Sequence, residues 1–185
     1  MREIHKANDI SSNNKNKSNI VLIGMPGSGK STIGARLANI LGMNFIDTDD
    51  IIRGTEKKDL KDIVNEKGRN GFLKIQEDSI LKLELRDSII ATGGSVVYSG
   101  NLMDHLKKNG VIIYLKHDIE ELAERMGPGR RLARNSEQSI IDMYNERLPL
   151  YNIYSDIIID CTKKDIGPII DEIIDKLGLK QKETI

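Results

Sequence analysis

The sequence is poor in several features that would otherwise widen its possible functions. It has one cysteine, Cys161, in 185 residues. That excludes an internal disulfide and a cysteine-based metal cluster, and it suits a reducing cytosol. Cys161 is expected as a small buried residue near a strand end. No window approaches the ~18 continuous apolar residues that a membrane-crossing helix needs. Residues 1–18, rich in Asn, Ser and Lys, hold no apolar stretch of the kind a secretory signal uses, and read as a flexible tail. Net charge is missing too. Lys plus Arg (28) equals Asp plus Glu (28), so no overall positive field collects nucleic acid. His5, His105 and His117 are scattered without metal-ligand spacing and are expected at the surface. There is no internal repeat. The expected setting is cytoplasmic and monomeric, with neither nucleic acid nor membrane as partner.

What is present is a regular alternation. Five short apolar runs bounded by polar or glycine punctuation read as buried strands: Ile20–Ile23, Asn44–Ile46, Ile89–Ala91, Val111–Leu115 and Ile157–Ile159. Helical spacing fills the intervals at Lys30–Leu41, Leu60–Glu66, Gly71–Leu85, Leu102–Lys108, Ile119–Met126, Ser139–Leu148 and Ile166–Leu177. Strands alternating with helices imply an α/β domain, a doubly wound parallel sheet, over residues 19–178, with a short tail at 179–185. Ligands of such sheets sit beyond the carboxyl ends of the strands, so the segment after each strand matters most.

After the first strand comes Gly24-Met25-Pro26-Gly27-Ser28-Gly29-Lys30-Ser31-Thr32. Its Gly-x-x-x-x-Gly-Lys-Ser core is the phosphate-binding loop pattern, in the strand-to-helix context that pattern requires. Gly24, Gly27 and Gly29 let the backbone turn its N–H groups, including that of Ser28, around phosphate oxygens at a helix N-terminus. Lys30 is expected to reach the outer phosphates, and the Ser31 hydroxyl to complete a Mg2+ shell. The alternative is a glycine turn without a nucleotide. A guanine-reading Asn-Lys-x-Asp is absent, which favours ATP.

After the second strand comes Asp47-Thr48-Asp49-Asp50. One carboxylate there can orient metal-bound water while another takes a hydroxyl proton, as phosphoryl transfer requires. Equally, the run could cap the helix after it. Joined to the upstream loop, Phe45-Ile46-Asp47-Thr48-Asp49 resembles the shikimate kinase family. Gly93-Gly94 resembles that family's glycine triplet, Gly129-Arg130-Arg131-Leu132 its arginine-bearing lid, and Arg147-Leu148-Pro149-Leu150-Tyr151 its late arginine–tyrosine segment. The resemblance implies a P-loop kinase with a five-stranded parallel sheet flanked by helices and a lid segment, using ATP and Mg2+ to phosphorylate a small hydroxylated acid, shikimate. It implies Asp47 and Ser31 at the metal and Asp49 as base on the acceptor hydroxyl. It further implies Gly93 and Gly94 as amide donors to the acceptor, Arg130 over the phosphates and Arg147 on the acceptor carboxylate. Without that resemblance Arg147 reads as a solvated helical arginine, and residues 127–131 as a surface loop.

The acceptor half departs from the family pattern. Its Gly-Glu-x-x-Phe-Arg-x-x-Glu aligns with Gly68-Arg69-Asn70-Gly71-Phe72-Leu73-Lys74-Ile75-Gln76. Leu73 stands for the arginine and Gln76 for the second glutamate, while Ser95 replaces a glycine and Arg131 the lid proline. Losing one of two cationic clamps removes about 1.5–3 kcal/mol of charge-assisted hydrogen bonding. Arg69 or Lys74 could fill the space, although lysine lacks the planar fork; Leu73 could instead join the apolar positions Phe72, Ile75, Ile80 and Leu83. Two other functions stay open: a kinase for another small hydroxy acid or polyol, and a nucleotide-binding regulator without catalysis.

Overall fold

The computed structural model describes residues 17–126 and 138–179. The chain runs β1 (Asn19–Ile23), α1 (Lys30–Leu41), β2 (Asn44–Asp47), α2 (Thr48–Glu56), α3 (Leu60–Leu81), β3 (Ser88–Ala91) and a 3-10 turn at Val96–Tyr98. It continues α4 (Gly100–Asn109), β4 (Gly110–Lys116), α5 (Ile119–Met126), α6 (Ile140–Tyr154), β5 (Ile157–Asp160) and α7 (Ile166–Leu177). The strands pair in the order β2-β3-β1-β4-β5, every pair parallel. All five expected strands form, within a residue or two of their expected ends.

The apolar runs are unbroken because both faces of the central strands are covered. Ile20 and Leu22 join Ile113 and Leu115 beneath α1 and α7, where Ile33, Leu37, Ile170 and Ile173 close one core. The alternate residues Val21 and Ile23 join Ile112 and Tyr114 in the opposite core, closed by Leu102 and Met103 of α4 and by Met143 and Tyr151 of α6. There the Tyr114 and Tyr151 rings stack at 4.9 Å. Cys161 is buried just beyond β5, as expected.

Three helices differ from the expectation, each for a local reason. The sequence Thr48–Glu56 has poor helix formers, yet it forms α2 because the Asp47 side chain accepts the Asp49 N–H and Ile52 is fully buried against Ile63 and Phe72. The two helices expected at 60–66 and 71–85 abut as α3, and the break between them falls on Gly68, whose φ of 67° and ψ of 178° are non-helical. The third, α6, does not stop at Leu148. It runs through Pro149 to Tyr154 because Tyr151 beyond the proline is buried in the core.

Ile113 lies at the centre of the sheet and is fully buried. Ile113→Ala is expected to cost about 2–5 kcal/mol, read as a lower urea midpoint with an unchanged slope.

Candidate active site

The loop after β1 is held by close contacts. Gly24 has φ 147°, and a Cβ there would sit 2.7 Å from the Leu115 carbonyl oxygen of β4, so only glycine fits. Ser28 N–H closes a turn onto Met25 O at 3.1 Å. Gly29, at φ 85°, is the N-cap of α1, so no side chain caps that helix, and its first turn has no acidic residue. Uncapped amides and the positive end of a helix dipole therefore face the cleft, a place suited to an anion. Lys30 is buried and donates to Gly24 O at 2.9 Å, Met25 O at 2.8 Å and Ser28 Oγ at 3.2 Å. Met25 is not a mere spacer, since it is buried and takes a 3.8 Å contact from the Tyr151 hydroxyl.

His117 is a correction to the surface placement expected of the histidines. It is buried, with Nε2 3.2 Å from Ser28 O and Nδ1 3.2 Å from Glu121 Oε2. No apolar or metal-spacing signal marks this residue in the sequence.

Asp47, at the end of β2, takes the capping part expected of this acidic run. Asp47 Oδ1 accepts the Asp49 N–H at 2.9 Å, capping α2, while Oδ2 accepts the Ser31 hydroxyl at 2.5 Å. Ser31 and Asp47 thus present oxygens together at the mouth of the loop. Mg2+ commonly takes only one or two protein oxygens and completes its octahedron with waters and phosphates, so this pair fits it. Among the described residues no group of three or more acidic, His or Cys side chains makes a dedicated metal cage.

Asp49 is half-buried and its Oδ1 is buried without a hydrogen-bond partner. Burial pushes its carboxyl above the ordinary 3.8, and Asp47 adds to the rise; Lys30 and Arg53 oppose it. Arg53, one helical turn after Asp49 on α2, carries no motif in the sequence, yet it also borders the cleft.

A single cleft of about 580 Å³ brings together Gly27, Lys30, Ser31, Thr32, Asp49, Gly93, Gly94 and Arg147. Gly24, Ser28 and Asp47 support its walls. Gly93 and Arg147 are both tied to neighbours. The Gly93 N–H donates to Thr48 Oγ1 at 3.1 Å. What Gly93 contributes is space, because a Cβ there would lie 2.7 Å from Asp49 Oδ1 and 2.6 Å from Gln76 Nε2. Arg147, in turn, is not a solvated helical residue. It is 1% exposed, its Nε donates to the Tyr98 hydroxyl at 3.0 Å, and its guanidinium lies beside Gly94. Arg130 and Arg131 lie outside the described residues.

Leu73 packs with Ile52, Ile63 and Phe72, so the apolar reading of that residue holds. Lys74 faces solvent and pairs with Asp78 at 2.9 Å. Arg69 turns toward α6 instead. It donates to Glu146 at 2.7 Å and places its guanidinium 4.4 Å from the Tyr98 ring centre. Arg147 stands 5.1 Å from the same ring centre, so Tyr98 gathers both arginines.

An uncapped helix N-terminus, a lysine over it, a hydroxyl–carboxylate pair and a second carboxylate facing a lined cleft make the parts of a phosphoryl-transfer site. The family model described as shikimate kinase matches residues 26–178. The shikimate kinase of Caldanaerobacter subterraneus subsp. tengcongensis is 34% identical over 161 residues, 84% of this chain and 94% of that protein. That of Histophilus somni is 36% identical over 165 residues, 86% of this chain and 94% of that protein. Among solved structures, shikimate kinase from Acinetobacter baumannii in complex with shikimate superposes with a TM-score of 0.79 at 25% identity, covering 89% of this chain and 95% of that one. The five-stranded parallel architecture, the loop and these likenesses agree, and the chain belongs to the shikimate kinase family.

Proposed function

We propose that the protein transfers the γ-phosphoryl group of ATP to a hydroxyl of shikimate, working as a single cytoplasmic, monomeric kinase domain over residues 19–178. The observation that carries this reading is Asp49: a carboxylate with an unpartnered buried oxygen, set in the same cleft as the uncapped N-terminus of α1 and the buried guanidinium of Arg147. The free, buried Cys161 suits the reducing compartment in which such an enzyme works.

In this reading the amides of residues 24–32 and Lys30 hold the phosphates. Arg147 takes the acceptor's carboxylate with its planar fork, and Tyr98 fixes that fork in place. Gly94 lets Arg147 and the acceptor approach closely. Ser31 and Asp47 would hold Mg2+, which when bound neutralises charge on the phosphates. Asp49 Oδ1 accepts the proton of the acceptor hydroxyl as its oxygen forms a bond to the γ-phosphorus. The bond from that phosphorus to the bridging oxygen breaks, and ADP leaves with the electron pair. Positioning dominates such a transfer, which is why a cleft with fixed walls matters more than any single strong nucleophile.

Following ADP release from ATP and Mg2+ over a panel of hydroxylated acids tests the reading. Shikimate is expected to give the highest kcat/KM; turnover with another acid or a polyol and none with shikimate would overturn the acceptor assignment, and ATP binding with no turnover at all would favour a regulator. Lys30→Ala is expected to lower kcat by about 100-fold or more, as loss of a preorganised charge does.

Asp49→Asn is expected to keep ATP affinity while stopping transfer, and to melt at a higher temperature than the wild type at neutral pH. The sign follows from the raised pKa of Asp49. A carboxyl whose folded pKa exceeds its unfolded one favours the fold below the unfolded value, and that advantage is lost as pH rises through the folded pKa. Ionised Asp49 therefore costs stability at neutral pH, and asparagine removes the cost. The difference in melting temperature should shrink as pH falls to about 4, near the unfolded value. For the same reason the acid limb of the wild-type kcat/KM profile, which reports the free enzyme, should lie above the ordinary 3.8 of an aspartate.

A further inference from the structure

Three positions at which this chain leaves the family pattern, 73, 76 and 95, meet in space. Leu73, Gln76 and Ser95 line a smaller cleft of about 260 Å³, and Ser95 also borders the main one. Gln76 is 1% exposed, and its Oε1 accepts the Ser95 hydroxyl at 3.1 Å. Its Nε2 is buried without a partner, as is Asp49 Oδ1. Both orphans point at one place: the position that a Cβ on Gly93 would take lies 2.6 Å from Gln76 Nε2 and 2.7 Å from Asp49 Oδ1.

A buried donor and a buried acceptor left open side by side are costly unless something completes both. One hydroxyl can. Just outside the space that Gly93 leaves free, an alcohol oxygen accepts from the Gln76 amide and donates its proton to Asp49. Ser95 pins the amide oxygen and so aims the N–H group inward. The reverse orientation would set the amide oxygen against a carboxylate, acceptor facing acceptor.

We propose that Gln76 is a substrate-contacting, specificity-determining residue, whose carboxamide N–H, oriented by Ser95, grips the same acceptor hydroxyl that Asp49 deprotonates. The assignment rests on the kinase reading above and deepens it. It also explains why the departures occur together. With leucine at 73 no guanidinium stands beside position 76, so a glutamate there would be a buried, uncompensated anion next to Asp49. Glutamine keeps the shape, removes the charge and turns an acceptor into a donor. The groups facing Asp49 are then Asp47 from the end of β2, Lys30 from α1, Asp50 and Arg53 from α2, and the neutral amide of Gln76 from α3.

The test compares wild type, Gln76→Leu and Gln76→Glu with shikimate and ATP, alongside thermal melts and ATP affinity. Gln76→Leu should lose about tenfold in kcat/KM for shikimate, the value of one hydrogen bond, with ATP affinity within about twofold of wild type. Binding of shikimate and of its analogue lacking the acceptor hydroxyl is read alongside: Gln76→Leu should lose about tenfold in affinity for shikimate and keep wild-type affinity for the analogue, because the hydroxyl that the amide grips is gone. A purely structural role would weaken both ligands alike. Wild-type kcat/KM in Gln76→Leu, or an equal loss for both ligands, overturns the assignment. If Gln76→Leu does not fold, Gln76→Glu, which keeps the shape, is read with the same pair of ligands. Wild-type protein inert toward shikimate is a separate result: it overturns the kinase reading above, and the Gln76 assignment falls with it.

Discussion

The cleft depends on parallel hydrogen bonding that ends three strands in one row. Ala91 of β3 is in register with Leu22 of β1 on one side and with Asp47 of β2 on the other. Thr92 then ties the end of β3 back to β1, giving both its N–H and its hydroxyl to the Leu22 carbonyl. The segments leaving each strand therefore start level with one another. One becomes a phosphate cradle, one a carboxylate pair and one a glycine floor. The bond from Gly93 N–H to Thr48 joins the last two directly. A slip of one residue in any of these pairings would turn Asp47 to the wrong face and separate the parts.

The same geometry sets a tension between stability and chemistry. The base proposed above would take an alcohol's proton, a task that suits a carboxylate neither well solvated nor fully paired, and Asp49 is neither. Asp47, by contrast, commits both oxygens, one to the Asp49 amide and one to Ser31. Two carboxylates two residues apart thus have opposite surroundings, which lets them differ in role although they share a side-chain type. The burden falls on the fold's two cores, where β1 and β4 are buried on both faces.

Much of the fold is legible in the sequence, and the features that escape it share a cause. The strands are visible because each is short, apolar and punctuated, and the loop because glycines at that spacing, ahead of a lysine and a serine, rarely arise except around phosphate. The helix α2 is hidden because its stability comes from a cap and one buried isoleucine, not from the propensities of its own residues. The end of α6 is hidden because tertiary burial of Tyr151 outweighs the local effect of Pro149. His117 and Tyr98 carry no pattern at all, and Gln76 only a departure from one. Each matters through a neighbour distant in sequence, Ser28, Arg147 and Ser95 respectively. The family resemblance points to Arg147 but says nothing of its burial. It also marks Gln76 as a departure without showing where its amide points.

The Tyr98 ring lies against Arg69 of α3 and Arg147 of α6, and Arg69 is anchored to Glu146 on the helix that carries Arg147. The acceptor side is therefore stitched by side chains between two helices and a turn, whereas the phosphate side is welded into the sheet by backbone. Exchanging a stitch re-tailors what the cleft admits and leaves the weld intact. Leu73, Gln76 and Ser95 all lie on the stitched wall.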